Sequence, residues 1–308
     1  MRQVFLGFLC FYVACGMLPL TPEQDVQVKE RGIEVLFLSS NKTAGYNDMQ
    51  LSLKYKYVDV NGSIHNTTNV GDCLTVKATI EVSEEAHYLA ALIVARMTKH
   101  MPYSIYSTLL GSAQVAVFAD GQDCTIFPEY ATERDRPECN NTCDDSCSAT
   151  CTTDGRKYNT LAGLGGNTAC VLEDNLLCND RDPYYQTYNV LVHEFAHTIH
   201  HHLPTSVRTE ITEAYNNAYS QDIWPKTSYA MADELEYWAE GTGSFFKVDI
   251  STNLGSGMNM CSNTFCQTEE DVRYNIYEKD PDLYYALAYV YVNYELQKPS
   301  HLATCVTS

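Results

Sequence analysis

Short apolar and alternating runs dominate the first part of the chain and predict β-strands. The segment LSLKYKYVDV, residues 51–60, alternates apolar and polar positions and then meets an Asn-Gly dipeptide, a strong turn signal. The runs IEVLFLS at 33–39 and CLTVKATIEV at 73–82 are also rich in residues that favour strands. AQVAVFAD at 113–120 predicts a buried strand, because glycines bound a nearly continuous apolar run.

Helical spacing of apolar positions follows these strands and then dominates after Tyr184. Ser83-Glu84-Glu85 is typical of a helix start, and Pro102 ends the pattern that follows. The later predicted helices cover about 187–202, about 206–221, a stretch from about 230, and 280–297. The tyrosines of the last helix are interpreted as core packing. Strands first and helices later predict an α+β fold, with a twisted sheet and a mainly helical lower part.

Residues 124–178 show neither the alternation typical of a strand nor the apolar spacing typical of a helix, and they are expected to be irregular. Cysteines at 139, 143, 147 and 151 recur every four residues, but the polar residues between them favour a loop. A disulfide-stapled loop is the favoured interpretation, and a metal site built on cysteines is the alternative. The glycine-rich stretch LAGLGGNTA at 161–169 has no phosphate-loop spacing and is interpreted as a flexible turn.

Charge excludes several classes of partner. The 308 residues include 39 acidic and 20 basic side chains, for a net charge of -19, and 45% are hydrophobic. A surface this acidic repels nucleic acid and anionic membranes, and no basic patch offsets it. The hydrophobic fraction is ordinary for a packed globular protein.

The amino terminus predicts export. Residues 1–16 combine Arg2, a short apolar run and small residues at Ala14 and Gly16, which is the pattern of a cleavable signal peptide. A short membrane anchor is the alternative. Sequons that predict N-glycosylation occur at Asn41, Asn61, Asn66 and Asn140.

The cysteine count agrees with export but is odd. Eleven of the 13 cysteines follow the predicted cleavage site, so disulfides are expected and one thiol is left over. Cys73 is expected in a disulfide. The alternative is that Cys73 acts as an inhibitory thiolate of a removable pro-segment.

The chemistry is carried by VLVHEFAHTIHHH at 190–202. His193 and His197 are four residues apart on a helix, so both imidazoles point the same way and can bind one Zn²⁺. Glu194 lies beside the first ligand, where it can act as the general base for water whose pKa zinc has lowered. The sequence therefore predicts a zinc-dependent hydrolase.

The third ligand is expected from an acidic residue farther along the chain. A further histidine in the H-E-x-x-H-x-x-G-x-x-H pattern would stand at 203, which is Leu203 here, and this argues against that class. EYWAEG at 236–241 offers Glu236 and Glu240 on one helical face. Glu236 is the expected ligand. Glu240 is expected to orient a histidine ligand without binding the metal itself, and the reverse assignment stays open. Asp233, Glu234 and Glu213 are expected to be solvated charges, and the histidines at 200–202 are not expected to bind the metal.

These motifs resemble a known group of enzymes. H-E-x-x-H followed by a downstream glutamate resembles the gluzincin metallopeptidases, and SYAMADELEYWAEG at 228–241 is similar to the corresponding stretch of the anthrax lethal factor-like peptidases. The resemblance implies a zincin-like metallopeptidase fold, with the active-site helix packed on the sheet. It also implies that Tyr229, seven residues before Glu236, faces the site and stabilises an oxyanion.

The predicted protein is a secreted, extracellular zinc metalloendopeptidase with three parts. Residues 1–16 are the signal peptide, 17–82 a β-rich segment that is either part of the catalytic domain or a pro-segment, and 83–300 the peptidase domain with the insert at 124–178. Its expected partner is a peptide or protein, with no nucleic acid and no membrane after signal cleavage. The alternatives are a catalytically silent binding protein or toxin-like ligand, and a zinc hydrolase acting on a non-peptide bond. The sequence indicates no oligomeric state.

Overall fold

The computed structural model describes residues 33–36, 51–67, 72–140, 142–152, 155–250, 257–262 and 264–306. The predicted signal peptide and the sequon at Asn41 lie outside these ranges.

A mixed seven-stranded sheet forms the upper part of the molecule. Its strands are β1 (Ile33–Leu36), β2 (Leu51–Asp59), β3 (Ile64–His65), β4 (Cys73–Thr79), β5 (Gln114–Phe118), β6 (Gly163–Leu164) and β7 (Thr168–Leu172). The order is β1-β2-β4-β5-β7-β6, with β3 paired to β2. The central strands β4, β5 and β7 are parallel, and all other pairs are antiparallel. A separate hairpin joins β8 (Met260–Cys261) to β9 (Thr264–Phe265).

Eight α-helices accompany the sheet in the described residues. They are α1 (Glu84–Thr98), α2 (Tyr103–Leu109), α3 (Glu173–Leu177), α4 (Val190–His202), α5 (Thr205–Ser220), α6 (Glu234–Phe245), α7 (Glu269–Lys279) and α8 (Pro281–Val292). Helices α1 and α4 cover one face of the sheet, and α5 to α8 pack on one another below α4. The predicted α+β class is confirmed.

Two hydrophobic cores lie on opposite faces of the sheet. The larger core joins the sheet to the helices, and the smaller one joins it to the insert through Leu53, Phe118 and Phe127. Below the sheet, the buried carboxylate of Asp280 accepts 2.7 Å hydrogen bonds from Trp224 and Tyr237. Because these residues come from three different segments, Asp280 ties the start of α8 to α6 and to the loop after α5.

The helix boundaries follow the local signals in the sequence. Ser83 caps α1 and Asn189 caps α4, each accepting a hydrogen bond from a first-turn amide. Helix α4 ends at His202, because Pro204 cannot continue it. The helix expected from about 230 begins at Glu234, after a single 3₁₀ turn at Tyr229–Met231. Helix α7 was not predicted.

The expectation that 124–178 is wholly irregular is wrong at its carboxyl end. Strand β7 lies inside the sheet with parallel pairing to β5, and α3 follows it directly. Part of the glycine-rich stretch forms β6, so it is not simply a flexible turn. The rest of the insert consists of short 3₁₀ turns, as a loop-like composition predicts.

Four disulfides stabilise the described residues. Cys139–Cys147 and Cys143–Cys151 cross-link the insert, which confirms the stapled loop, and Cys261–Cys266 closes the β8–β9 hairpin. Cys178–Cys305 ties the carboxyl end to the segment after α3. The expectation that Cys73 is paired is wrong, since Cys73, Cys124 and Cys170 are free thiols.

Two observations bear on where the protein resides. Four disulfides are consistent with an extracellular protein, because thiols stay reduced in the cytosol. Among the described residues, none of the helices combines the length and the apolar character that crossing a membrane requires.

Candidate metal centre

Helix α4 presents two histidines side by side. Its other faces pack against β7 and α6 through apolar side chains that include Leu191, Phe195 and Ile199, all buried. His193 and His197 are one turn apart, and 3.1 Å separates their Nε2 atoms. Packing of the apolar faces therefore fixes the direction in which both imidazoles point.

Helix α6 brings Glu236 to the two histidines. Its carboxylate oxygen Oε2 lies 3.1 Å from the Nε2 atom of His193 and 3.6 Å from that of His197. Trp238 fixes the crossing of the two helices, because its indole nitrogen donates a 3.0 Å hydrogen bond to the Ala196 carbonyl. The structure thus brings together at one point the two histidines and the glutamate that the sequence singles out.

The three atoms are spaced as zinc ligands would be. Bonds of about 2.0–2.1 Å in a tetrahedral site place neighbouring ligand atoms about 3.4 Å apart, and the separations here are 3.1, 3.1 and 3.6 Å. Glu236 Oε2 is buried yet accepts no well-aligned hydrogen bond from the described residues. A buried carboxylate oxygen is costly unless a cation satisfies it. The donor set of two imidazoles and one carboxylate therefore fits a zinc ion.

A second combination of ligands lies close by. His193, Glu194 and His197 can each offer one atom within 4.8 Å of the others. Glu236 Oε2 lies within 3.6 Å of both imidazoles, so its position suits a third ligand. Glu194 lies next to His193 on the same helix.

The centre also perturbs the protonation of its own groups. Burial opposes protonation of His193, but the adjacent carboxylates of Glu236 and Glu240 raise its pKa well above the usual value. Burial alone would raise the pKa of Glu236, yet the two imidazoles hold it below its usual range. A metal ion binds neutral imidazole and ionised carboxylate, so metal binding here would release any proton that His193 carries.

A buried pair stands behind His193. The Nδ1 atom of His193 lies 3.2 Å from Glu240 Oε1, on the side of the ring away from Glu236. The Tyr188 hydroxyl donates a 2.7 Å hydrogen bond to the same oxygen and lies 2.5 Å from Nδ1. Both side chains are buried. Glu240 thus lies where the sequence predicts, and Tyr188 is a member of the centre that sequence reasoning missed, because one tyrosine among 23 carries no local signal.

Tyr229 lies on the other side of Glu236. Its hydroxyl donates a 2.8 Å hydrogen bond to Glu236 Oε1, and its ring stacks on that of His193 with centroids 6.2 Å apart. Burial and the Glu236 charge raise the pKa of Tyr229, so the hydroxyl keeps its proton. The resemblance to the lethal factor-like peptidases implies a tyrosine that faces the site, and the structure places Tyr229 there.

Strand β6 lies directly over helix α4. A Cβ atom added at Gly163 would lie 2.8 Å from Glu194 Cγ and 2.4 Å from Val190 Cγ1, and one added at Gly165 would lie 2.6 Å from His197 Cβ. Only glycine allows the backbone to approach this closely. The interpretation of this stretch as a flexible turn missed these two close contacts with α4. Their spacing of two, typical of one face of a strand, is a signal that could have found them.

Glu194 is partly buried under β6. Burial raises its pKa, although the charges of His193 and His197 act in the opposite direction. A carboxylate whose pKa is shifted upwards is a better proton acceptor and donor near neutral pH than an ordinary glutamate.

A cleft of about 1180 Å³ opens in front of this centre. It is lined by residues of the insert and β6, and by residues of α5 and the start of α6. His193, Glu194, His197, Tyr229 and Glu236 all line it. The site is therefore open to a ligand much larger than a single amino acid.

Several charged residues lie apart from the ligand cluster. His200 is buried against the indole of Trp238, with ring centroids 6.2 Å apart, and burial lowers its pKa to about 4. Glu213 is exposed on α5. Asp233 is more than a solvated charge, because it caps α6 and accepts 2.9 Å hydrogen bonds from the amides of Leu235 and Glu236. That cap helps to fix the turn that carries Glu236.

Comparisons with known proteins add little to this geometry. No protein-family model matches the chain, and no curated protein matches it. Among solved structures, the PRO-PRO endopeptidase PPEP-2 from Paenibacillus alvei is similar over 69% of this chain and 95% of its own length, at 16% identity and a TM-score of 0.41. A likeness this low supports no conclusion about the activity of this chain.

Proposed function

We propose that the chain is a secreted zinc metalloendopeptidase of the gluzincin type. The observation that carries the proposal is the convergence of His193, His197 and Glu236 on one point beside Glu194, at the floor of an open cleft. The likeness of SYAMADELEYWAEG to the lethal factor-like peptidases supports the same assignment. The predicted signal peptide and the four disulfides support export.

His193, His197 and Glu236 would hold the zinc ion. Zinc in such a site supplies a Lewis acid that polarises a carbonyl and brings the pKa of water towards neutrality. Glu194 accepts the proton of the attacking water and passes it to the leaving amine. Its raised pKa suits both steps, because the group must hold the proton briefly and then release it.

Two tyrosines and a glutamate support these roles. The Tyr229 hydroxyl stays protonated at neutral pH and can turn from Glu236 to a developing oxyanion. Glu240 and Tyr188 hold the Nδ1 side of His193, which fixes the ring so that Nε2 faces the ligand point. Glu240 is therefore a positioning residue and not the third ligand.

The substrate is proposed to be a peptide or protein bound in extended form. The cleft runs open along β6, whose outer edge is not covered by another strand among the described residues. An extended peptide can pair with such an edge through its backbone. The strong acidity of the chain disfavours nucleic acid as a partner.

Glu194→Gln tests the proposal, with Glu213→Gln as a control for loss of one carboxylate. Glu213 is exposed on α5 and does not line the cleft. The parent and the control should cleave a peptide library, whereas Glu194→Gln should lose at least about 10²-fold in kcat/KM while keeping its zinc. Zinc binding without cleavage by the parent would instead favour a catalytically silent binding protein. A parent that hydrolyses only non-peptide bonds would indicate a different zinc hydrolase.

A further inference from the structure

Two free thiols lie against each other in the smaller hydrophobic core. Cys124 begins the insert, in the 3₁₀ turn Cys124–Ile126 that follows β5, and Cys170 is the central residue of β7. Both side chains are buried, and their thiols hydrogen-bond to each other. The chain therefore leaves the central strands of the sheet at one of these cysteines and is back among them at the other.

Ordered backbone holds both cysteines in place. Asp123 caps the turn, because its Oδ1 atom accepts a 2.8 Å hydrogen bond from the amide of Thr125. Cys170 is fixed by the parallel pairing of β7 with β5, in which it lies opposite Ala116. The contact between the two thiols is therefore set by two ordered segments of backbone.

The pair lies close to the strand that covers Glu194. Tyr130 belongs to the same core, and its hydroxyl donates to the Thr168 carbonyl and lies 3.4 Å from that of Leu164. Leu164 is in β6, where a Cβ atom added at neighbouring Gly163 would lie 2.8 Å from Glu194 Cγ. The core around the two thiols thus supports the backbone of β6.

The cysteine count favours a bond between them. Of the eleven cysteines after the predicted cleavage site, eight are paired in the four disulfides, and Cys73, Cys124 and Cys170 are left. Joining Cys124 to Cys170 leaves one thiol, at Cys73, which is the remainder that an odd count requires. An oxidising compartment favours disulfides, and two thiols already in contact need no rearrangement of the fold to form one.

We propose that Cys124 and Cys170 form a fifth disulfide in the exported protein, which closes the insert at its base. The two thiols give up two protons and two electrons to a disulfide oxidant such as oxidised glutathione, whose own disulfide becomes two thiols. The exchange takes place during folding, before the core shields the sulfur atoms. The inference rests on the proposed export of the chain and does not depend on peptidase activity.

The bond would hold one side of the cleft in place. Residues 160–166, which include β6, line the cleft and lie inside the loop that the bond closes. The disulfides Cys139–Cys147 and Cys143–Cys151 each join cysteines only eight residues apart, so they leave the base of the insert open. A cross-link between 124 and 170 closes a much longer loop and should therefore stabilise more.

Peptide mapping tests the bond on protein recovered from the medium of expressing cells. The protein is unfolded in urea with maleimide present and without reductant, then digested and analysed by mass spectrometry. The peptide that carries Cys124 should be linked to the one that carries Cys170, and Cys73 alone should carry maleimide. The control Cys73→Ala should keep the link and carry no label, whereas Cys170→Ala should carry maleimide on Cys124.

Two results would overturn the inference, and they differ in what else they refute. If Cys124 and Cys170 both carry maleimide while the other four disulfides are closed, the fifth disulfide is refuted and the export proposal is unaffected. If every cysteine carries maleimide, both the export proposal and the fifth disulfide are refuted.

Urea unfolding of the variants gives an independent test. Cys124→Ala and Cys170→Ala should each lower the urea midpoint by about 1–2 M. The double variant should lose little more than either single one, because each substitution alone removes the whole cross-link. Cys73→Ala should leave the midpoint nearly unchanged. A double variant whose loss equals the sum of the two single losses would contradict the bond.

Discussion

Replacing Gly163 by alanine should push β6 and helix α4 apart. The added Cβ would lie 2.4 Å from Val190 Cγ1 and 2.8 Å from Glu194 Cγ. Non-bonded carbon atoms approach to about 3.5–4.0 Å, so the strand and the helix must separate locally by about 1 Å. Both contacts are with α4, and one of them is with the proposed general base.

The size of the effect follows from that displacement. Overpacking of this kind costs about 1–3 kcal/mol of folding free energy. A misplacement of about 1 Å in a catalytic group costs about 10²-fold in rate. We therefore expect Gly163→Ala to unfold at lower urea concentration and to lose about 10²-fold in kcat/KM. Zinc should be kept, because neither contact involves a proposed ligand.

Urea unfolding, peptide hydrolysis and zinc content are measured on the parent, on Gly163→Ala and on Gly243→Ala. Gly243 is the matched control, because a Cβ there would meet nothing nearer than Asp249 Cβ at 4.0 Å. Alanine within helix α6 should be neutral or stabilise by up to about 1 kcal/mol. Unfolding and hydrolysis by Gly163→Ala that match the parent would refute the close contact between β6 and Glu194.

Three further predictions concern single residues. Tyr188→Phe removes the hydroxyl beside His193 and Glu240 and should weaken zinc binding about tenfold in competition with a chelator; unchanged affinity would count against its positioning role. Burial lowers the pKa of His87 to about 4 from the ordinary 6.5, so the unfolded chain binds a proton at this residue more readily than the folded chain does. The free energy of unfolding is therefore highest above pH 6.5 and is reduced as the pH falls through about 4. The free energy of unfolding should fall by roughly 3 kcal/mol between pH 6.5 and pH 4. Urea unfolding at these two pH values should show this loss in the parent but not in His87→Gln. Finally, maleimide should label half-buried Cys73 before Cys124 and Cys170, since the folded chain shields the two buried thiols from the reagent; mass spectrometry that finds all three labelled together would contradict their burial.

Helix α4 could be predicted because its signals are local. The histidine spacing and the stop at Leu203-Pro204 both lie within one short segment. The pair Glu236 and Glu240 is likewise visible as a one-turn spacing in a helical stretch. Only the structure shows that the two helices cross where the side chains meet, since that crossing depends on packing around Trp238.

The positions that could not be predicted depend on contacts between distant segments. Strand β7 is five residues long and lies between a glycine-rich stretch and a short helix, so its pairing with β5 decides its conformation. Tyr188 belongs to the centre only because α6 brings Glu240 to it. Cys73 could not be judged from the cysteine count, because pairing requires a second cysteine close by in space.

Metal analysis of purified protein tests the central claim most directly. The parent, Glu236→Ala and the control Glu213→Ala are loaded with zinc, desalted and measured for metal content. We expect about one zinc per chain in the parent and the control, and a large loss in Glu236→Ala, because a catalytic zinc site needs three protein ligands. Zinc retained at the parental level in Glu236→Ala, or no zinc in the parent, would contradict the proposed site.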